Sequence, residues 1–453
     1  MIIEGRATAA RSGMCYRVFN PANQLCVGTA QLGDAADARR AVESAAAALP
    51  AWKATSVAKR VAVITRGLDS VARHAAELAV LLTREQGKAL AESLAEIDDF
   101  LEKMRTFIRL AGATEDGRIR MLPSLRNDSY GNLAQPSEGI TVSLIAWNFP
   151  VALLGKKAGP ALLAGSTVII KPAYTTPLTT LRIVGLMNAA GLPPGVLNCI
   201  TGEGKVIGAA VAADPAVGHV HVTGSDKTGK EITEQKRSMT TELSLDLAAS
   251  DPMIVCKDAD LPKALQAALV GRYRNAGQAC TAVKRLYVAA EVYDDFIREL
   301  INRVRLLEPG DGLMPANAPA IRMGALHTAE QCHDLEAQIE DALRRGARIL
   351  LGGRRPEVRG CEGHFFAPTI ITDAPASSRL VREEVFGPVL PVFRTRSIAD
   401  AIEQANDGPW NSSASVWTSD PAQVREARRL VRCRRLWVNR LSFGIDRNAS
   451  LAV

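Results

Sequence analysis

The sequence predicts an α/β protein of two domains in series, and three observations carry that reading. The chain has 453 residues, room for two or three domains at roughly 150 residues each. From Ile140 to Asp246 short β-branched runs alternate with helix-like segments, and the same rhythm returns from about Met253 to Val438. Strands that alternate with helices imply a parallel sheet covered on both faces, because each crossover lays a helix against the sheet. The composition, 47% hydrophobic and 23% charged, is that of a globular protein and excludes disorder, collagen and coiled coil.

In chain order, the first ten or so residues lack the apolar core of a secretory signal and read as a loose tail. From about Asp34 to Leu110, Ala, Leu and Val recur at three- and four-residue spacing with charges between, which predicts long amphipathic helices. Arg118 to Glu138 has little helical periodicity and fits an extended hairpin. ITVSLIA, STVIIKP, VLNCITG and HVHVTG then read as strands, the first three each followed by a helix. In the second block MIVCKD, KRLYVA, ARILLGG, FAPTIITD, VLPVFR, ASVWTS and RLWVN are the expected strands. Six arginines between Val424 and Arg435 read as a solvated helix face, since no aromatics are interleaved as a nucleic-acid surface requires.

Several function classes drop out. With 55 Lys+Arg against 48 Asp+Glu the net charge is +7, a mild excess for a chain this long and only a weak argument for nucleic acid, which is not expected as a partner. The longest apolar tract, Val151 to Ile170, is interrupted by Lys156, Lys157, Gly155, Gly159 and Pro160, short of the ~18 uncharged residues a membrane span needs. The eight cysteines form no close pair, so neither a metal site nor a disulfide framework is expected, and a reducing cytoplasm fits best.

The most informative stretch is RYRNAGQACTAVKRLYV, in which Cys280 follows a Gly-containing turn and precedes a strand. A reactive cysteine needs access and a route to its thiolate, and an exposed bend offers the first. Ala146-Trp147-Asn148-Phe149-Pro150 lies directly after a strand, where an amide between two aromatics suits a side chain aimed at a ligand. Lys171 ends the next strand, and VTGSDKTG follows a strand and opens a helix, an arrangement that holds phosphate on backbone amides and Ser225.

Taken in order, AWNFP, IIKPAY, AGLPPGVLN, VTGSDKTG, NAGQACT and EEVFGPV resemble the aldehyde dehydrogenase superfamily across essentially the whole chain, and within it the succinate-semialdehyde dehydrogenase branch. The resemblance implies two Rossmann-like three-layer α/β/α domains and a small β oligomerisation hairpin. A dinucleotide-binding domain would span 1–117 and 138–247, the hairpin 118–137, the catalytic domain 248–438, and a shortened C-terminal segment 439–453. It further implies a cytoplasmic homo-oligomer that oxidises a small-molecule aldehyde with NAD+ or NADP+. Cys280 would be the nucleophile, and Asn148 would donate to the oxyanion with the Cys280 backbone N–H. Lys171 would bind the adenosine ribose, Ser225 the pyrophosphate, and Glu384 with Phe386 the nicotinamide ribose and ring. Ala146, Trp147, Tyr174, Gly204 and Gly224 would complete the cofactor site. No metal is implied.

Three departures from the family qualify these expectations. The general base, normally a glutamate 34 residues before the cysteine, is Asp246 here, with Ala248 and Ala249 in place of two glycines. Aspartate is one methylene shorter, and a displacement of ~1 Å can cost a hundredfold in rate, so slow thioester hydrolysis is expected. Tyr174 stands where NAD-preferring members often place a glutamate, which favours NADP+ while allowing NAD+. The chain ends at LWVNRLSFGIDRNASLAV, without the family's final strand, which is expected to alter assembly or stability.

Arg274 and Lys156 occupy positions where semialdehyde dehydrogenases of this branch carry arginines for the substrate's distal carboxylate, which points to an acidic semialdehyde such as succinate semialdehyde. A salt bridge from either residue to a neighbouring acid is the competing reading, and Arg272 would face the other way if the chain is extended there. Two alternatives remain. One is a CoA-acylating dehydrogenase, in which a thiol releases the acyl group; the other is a weakly active paralogue with a binding or structural role.

Overall fold

A computed structural model describes residues 1–114, 139–235, 241–315, 317, 320–408 and 411–442. It divides into two compact units. One comprises Met1–Asn20, Leu25–Gln86 and Ser93–Leu247, and the other Pro21–Gln24, Gly87–Glu92 and the chain from Ala248 onward.

The first unit is built on a sheet with the strand order Arg6–Ala7, Ile2–Ile3, Leu197–Cys199, Thr167–Lys171, Ile140–Leu144, Val217–Thr223, Glu242–Asp246. From Leu197–Cys199 onward the neighbours are parallel. ITVSL, TVIIK and LNC are buried at every position, which is why they read as continuous apolar runs rather than alternating ones. The parallel register brings the strand ends together, with Leu144 opposite Lys171 and Thr223 opposite Asp246. The helical zone is four helices, Ala35–Ala54, Val57–Arg73, Ala75–Gln86 and Leu90–Gly112. The first starts at Asp34, whose carboxylate accepts from the Ala36 and Asp37 N–H groups in a capping box.

The expectation of a loose N-terminal tail is wrong. Ile2 pairs antiparallel with Cys199, the strand turns back on Arg6–Ala7, and Ile3 is 1% exposed. Met1 and Ile3 extend the apolar core of this unit, and that burial decides their structure.

The second unit carries a sheet in the order Arg348–Leu351, Thr369–Thr372, Val389–Thr395, Arg285–Ala289, Pro252–Val255, Ser413–Trp417, Arg435–Val438. All neighbours are parallel except the Arg348–Leu351 edge. These are the seven strands expected from the sequence, and both units are Rossmann-like α/β folds. The helix Pro421–Leu430 turns Arg425, Arg428 and Arg429 to solvent. The expected hairpin and the end of the chain from 443 lie outside the described residues. Among the described residues no helix is long and apolar enough to cross a membrane.

Arg272 is not on an extended segment. It lies in the last turn of the helix Leu261–Tyr273, fully buried. Its guanidinium donates to the Val283 carbonyl at 3.1 Å, the Gly277 carbonyl at 2.9 Å, the Val385 carbonyl at 3.2 Å, and the Gly387 carbonyl. Burial lowers its pKa to about 10, so it stays charged at neutral pH. Arg272→Met strands several buried acceptors at once and is expected to lower the unfolding free energy by about 3 kcal/mol. Urea denaturation of the variant checks this, and an unchanged midpoint would mean the carbonyl cluster is not held by this side chain.

Candidate active site

In the second unit Cys280 sits behind a rigid turn. After the helix Leu261–Tyr273 the chain makes a short 3-10 turn, Arg274–Gly277, in which Asn275 and Ala276 have φ of 51° and Gly277 has φ of 75°. Two consecutive non-glycine residues in the left-handed region are costly and persist only when their surroundings fix them. Here the Asn275 N–H donates to Glu92 Oε1 at 2.6 Å. The buried Gln278 amide donates to the Asn275 and Ala325 carbonyls at 2.9 and 3.2 Å and accepts from the His327 N–H at 2.9 Å. Gly277 is required: a Cβ there would lie 2.2 Å from the Gly387 carbonyl oxygen. The next residues to reach the surface are Cys280 and Thr281, both exposed, and the strand Arg285–Ala289 follows. Arg274, half-buried, opens the same turn.

Glu384 and Phe386 meet on a single side chain. Lys284, 0% exposed, places its ammonium 3.0 Å from Glu384 Oε1 and 4.8 Å from the Phe386 ring centroid, and donates to the Val385 carbonyl at 3.0 Å. Burial pushes Lys284 down to about 8, against the upward pull of the Glu384 carboxylate.

In the first unit the AWNFP corner leaves the strand Ile140–Leu144 and enters the helix Pro150–Ala164. Glu96 Oε1 accepts from the Val151 and Ala152 N–H groups at 2.9 and 3.0 Å, which fixes the helix start. Ala146 and Trp147 are half-buried, and Asn148 is 7% exposed. Lys171 ends its strand 5% exposed, and burial lowers its pKa to about 8. Gly204 opens the helix Gly204–Ala212, where a Cβ would sit 3.7 Å from Lys171 Nζ. Gly224 and Ser225 form the turn before the helix Asp226–Gln235, with Ser225 Oγ accepting from the Thr228 N–H at 3.3 Å. Tyr174 stacks on Tyr16, centroids 3.9 Å apart and planes 13° apart.

Each unit, taken by itself, has groups whose chemistry could hold part of a dinucleotide. Among the described residues no carboxylate lies within ion-pairing distance of the Lys171 ammonium, and Glu384 Oε1 is buried without a hydrogen-bond donor in good geometry. A buried cation and a buried carboxylate oxygen left in this state have hydrogen-bonding capacity that ribose hydroxyls and phosphate can meet.

Asp246 ends the edge strand Glu242–Asp246 and is already engaged. Lys157 Nζ donates to its Oδ2 at 2.7 Å, and Lys156 Nζ is 3.8 Å from the same oxygen. Burial alone would raise the Asp246 carboxyl, but the two ammoniums and the hydrogen bond outweigh it and hold it at about 2. Lys156, expected at the substrate, is therefore drawn to Asp246, as the competing salt-bridge reading had it. On the neighbouring strand His221 is pushed down to about 2 by burial and by Lys157, and its ring stacks on His219 at 4.0 Å.

Lys157 and Lys284 were missed from the sequence. Lys157 had a signal, since it follows Lys156 on a helix that starts at the Asn148 corner. Lys284 had only its place four residues after Cys280.

The chain belongs to the aldehyde dehydrogenase family, whose profile matches residues 8–449, and it is an enzyme of that class. It is 37% identical over 425 residues to a succinate-semialdehyde dehydrogenase [NADP(+)] of Escherichia coli (strain K12), covering 93% of this chain and 86% of the relative. It is 35% identical over 424 residues to a glutarate-semialdehyde dehydrogenase of Pseudomonas putida, covering 93% and 85%. The crystal structure of an Escherichia coli NADP-dependent enzyme superposes with a TM-score of 0.88 at 34% identity, covering 97% of this chain and 89% of that one.

Proposed function

We propose that the protein oxidises an acidic semialdehyde, such as succinate semialdehyde, to the carboxylic acid with NADP+ in preference to NAD+. The observation that carries the reading is the exposed Cys280 thiol carried on a turn of enforced left-handed backbone. Residues 1–117 and 138–247 form the dinucleotide-binding domain and 248–438 the catalytic domain.

Cys280 sulfur attacks the aldehyde carbon, and the carbonyl oxygen becomes an oxyanion that accepts from the Asn148 amide and the Cys280 N–H. On protonation this is a thiohemiacetal. A nicotinamide dinucleotide held by these residues would supply the hydride acceptor for this oxidation, and Cys280 would then carry the acyl group as a thioester. Asp246 takes a proton from water as its oxygen adds to the thioester; the carbon–sulfur bond breaks, the acid departs and the thiol is restored. Lys171, Gly204 and Tyr174 hold the adenosine half, Gly224 and Ser225 the pyrophosphate, Ala146 and Trp147 flank the cofactor, and Glu384 and Phe386 hold the nicotinamide half. The absence of a carboxylate at position 174 removes repulsion of a 2′-phosphate, and a relative named for NADP(+) supports the preference.

Arg274 holds the distal carboxylate, and Lys156, shared with Asp246, adds charge only. Steady-state turnover on a panel of aldehydes with both cofactors tests the reading. Arg274→Ala is expected to raise KM for succinate semialdehyde about tenfold or more, the cost of one charge-assisted contact, and to leave KM for an uncharged aldehyde of equal length unchanged. Equal KM values for the acid in variant and parent would remove the acidic-substrate assignment.

The Lys157–Asp246 pair favours one alternative, a CoA-acylating dehydrogenase. A carboxylate held at about 2 is a weak base for water, whereas a thiolate acceptor needs none. Adding CoA to a single turnover separates the two readings by whether acyl-CoA or free acid appears.

A further inference from the structure

Lys284 is a lysine buried completely, four residues after the thiol, in a sequence position that the proposed mechanism does not use. Burying an ammonium is expensive unless it is paired and hydrogen-bonded, so its partners indicate what it is for. All three belong to one short segment: the Glu384 carboxylate at 3.0 Å, the Val385 carbonyl at 3.0 Å and the Phe386 ring at 4.8 Å. The Val385 carbonyl also accepts from Arg272 at 3.2 Å. Two buried cations therefore grip the segment, but Arg272 reaches main-chain oxygens, while Lys284 is the one of the two that meets the side chains of Glu384 and Phe386. The ammonium lies near Glu384 Oε1 without meeting it in good hydrogen-bond geometry, so the carboxylate is restrained yet keeps capacity for a hydroxyl donor.

We propose that Lys284 is a positioning residue that fixes the Glu384 carboxylate and the Phe386 ring as one unit, so that binding of the nicotinamide half of the dinucleotide depends on the Lys284 charge. The inference rests on the assignment of Glu384 and Phe386 to that half of the cofactor. Physically it is preorganisation: a ligand that meets a carboxylate already held in place does not have to order it on binding. A neutral side chain at 284 would leave Glu384 to choose among rotamers. The charged and titratable groups around the ammonium are Glu384, Arg272, Cys280 and Asp251. Of these, Glu384 is the one in contact.

The test is equilibrium binding of NADPH, followed by its fluorescence, to the parent, Lys284→Met, Lys284→Arg and Glu384→Gln, with adenosine 2′,5′-bisphosphate as a ligand that lacks the nicotinamide half. Lys284→Met is expected to weaken NADPH about tenfold and the bisphosphate less than twofold, and Lys284→Arg to recover most of the loss. The double variant Lys284→Met/Glu384→Gln should bind no worse than the weaker single variant, because the two residues act through each other. In the parent, the affinity gain of NADPH over the bisphosphate should shrink as pH rises through about 8, where Lys284 loses its proton; in Lys284→Arg that gain should hold, because Lys171, also lowered to about 8, weakens both ligands alike. Equal affinities in parent and Lys284→Met, or equal losses for both ligands, would overturn the proposal, the second by showing a general structural role. Should Lys284→Met fail to fold, the pH profiles of parent and Lys284→Arg decide alone. A parent that binds the bisphosphate but shows no gain from the nicotinamide half would sink the assignment of Glu384 and Phe386 instead, and with it the proposal.

Discussion

Cys280→Ser is expected to lower aldehyde oxidation by at least about a thousandfold while leaving NADPH affinity within a factor of two. A serine hydroxyl keeps the size of the thiol but is essentially never ionised at neutral pH without a dedicated base, so attack on the carbonyl, the first covalent step, is lost. The turn behind it, held by Glu92 and Gln278, contains no atom of the replaced group, so the fold and the cofactor residues are left as they were. Two measurements separate this from a trivial loss of structure. The melting temperature should not move by more than a degree or two, and mass mapping after brief exposure to an aldehyde and NADP+ should find an acyl adduct on Cys280 of the parent and none on the variant. Mapping matters because Cys15 and Cys26 are exposed as well. Retained turnover in Cys280→Ser, or an adduct at either other thiol, would remove the mechanism.

Asp246→Asn is expected to slow steady-state turnover at least about a hundredfold, in line with the loss of a general base, while hydride transfer continues at close to its parental rate. The result is a burst of NADPH equal to the number of sites, followed by a slow phase. The parent should show a shallower form of the same burst, because its carboxylate is held at about 2 by Lys157 and Lys156 and is a poor proton acceptor. The sign of the pH dependence follows from that value. A base works when ionised, and Asp246 is ionised everywhere above about pH 3, so thioester hydrolysis should show no acid limb from this group between pH 5 and 8. Linear NADPH release by Asp246→Asn at the parental rate would mean that water is activated elsewhere.

Much of this was legible in the sequence, and the reasons differ by element. The three buried central strands of the first unit were readable because burial on both faces demands uninterrupted β-branched and apolar residues. Cys280 and Asn148 stood out because each lies in a short motif at the end of a regular element. The strands Ile2–Ile3 and Arg6–Ala7 were not readable: at two residues each, they exist because Cys199 offers an edge to pair with, and no local propensity records that. The Lys157–Asp246 bond joins residues 89 apart, and the Lys284 bond to Val385 joins residues 101 apart. Such pairings are set by which strand ends and loops the sheet register brings together, which is tertiary information. The same cause hid the approach of Lys156 to Asp246 and the conformation at Arg272, whose helix runs on to Tyr273.

Arg272 grasps only oxygens of the peptide backbone, at Gly277, Val283, Val385 and Gly387. A clasp of that kind is blind to the side chains at Val283 and Val385, since every amino acid presents the same carbonyl. A replacement at either buried valine that keeps its volume therefore leaves the clasp intact, whereas Gly277, where a Cβ would lie 2.2 Å from the Gly387 carbonyl oxygen, and the arginine itself have no such latitude.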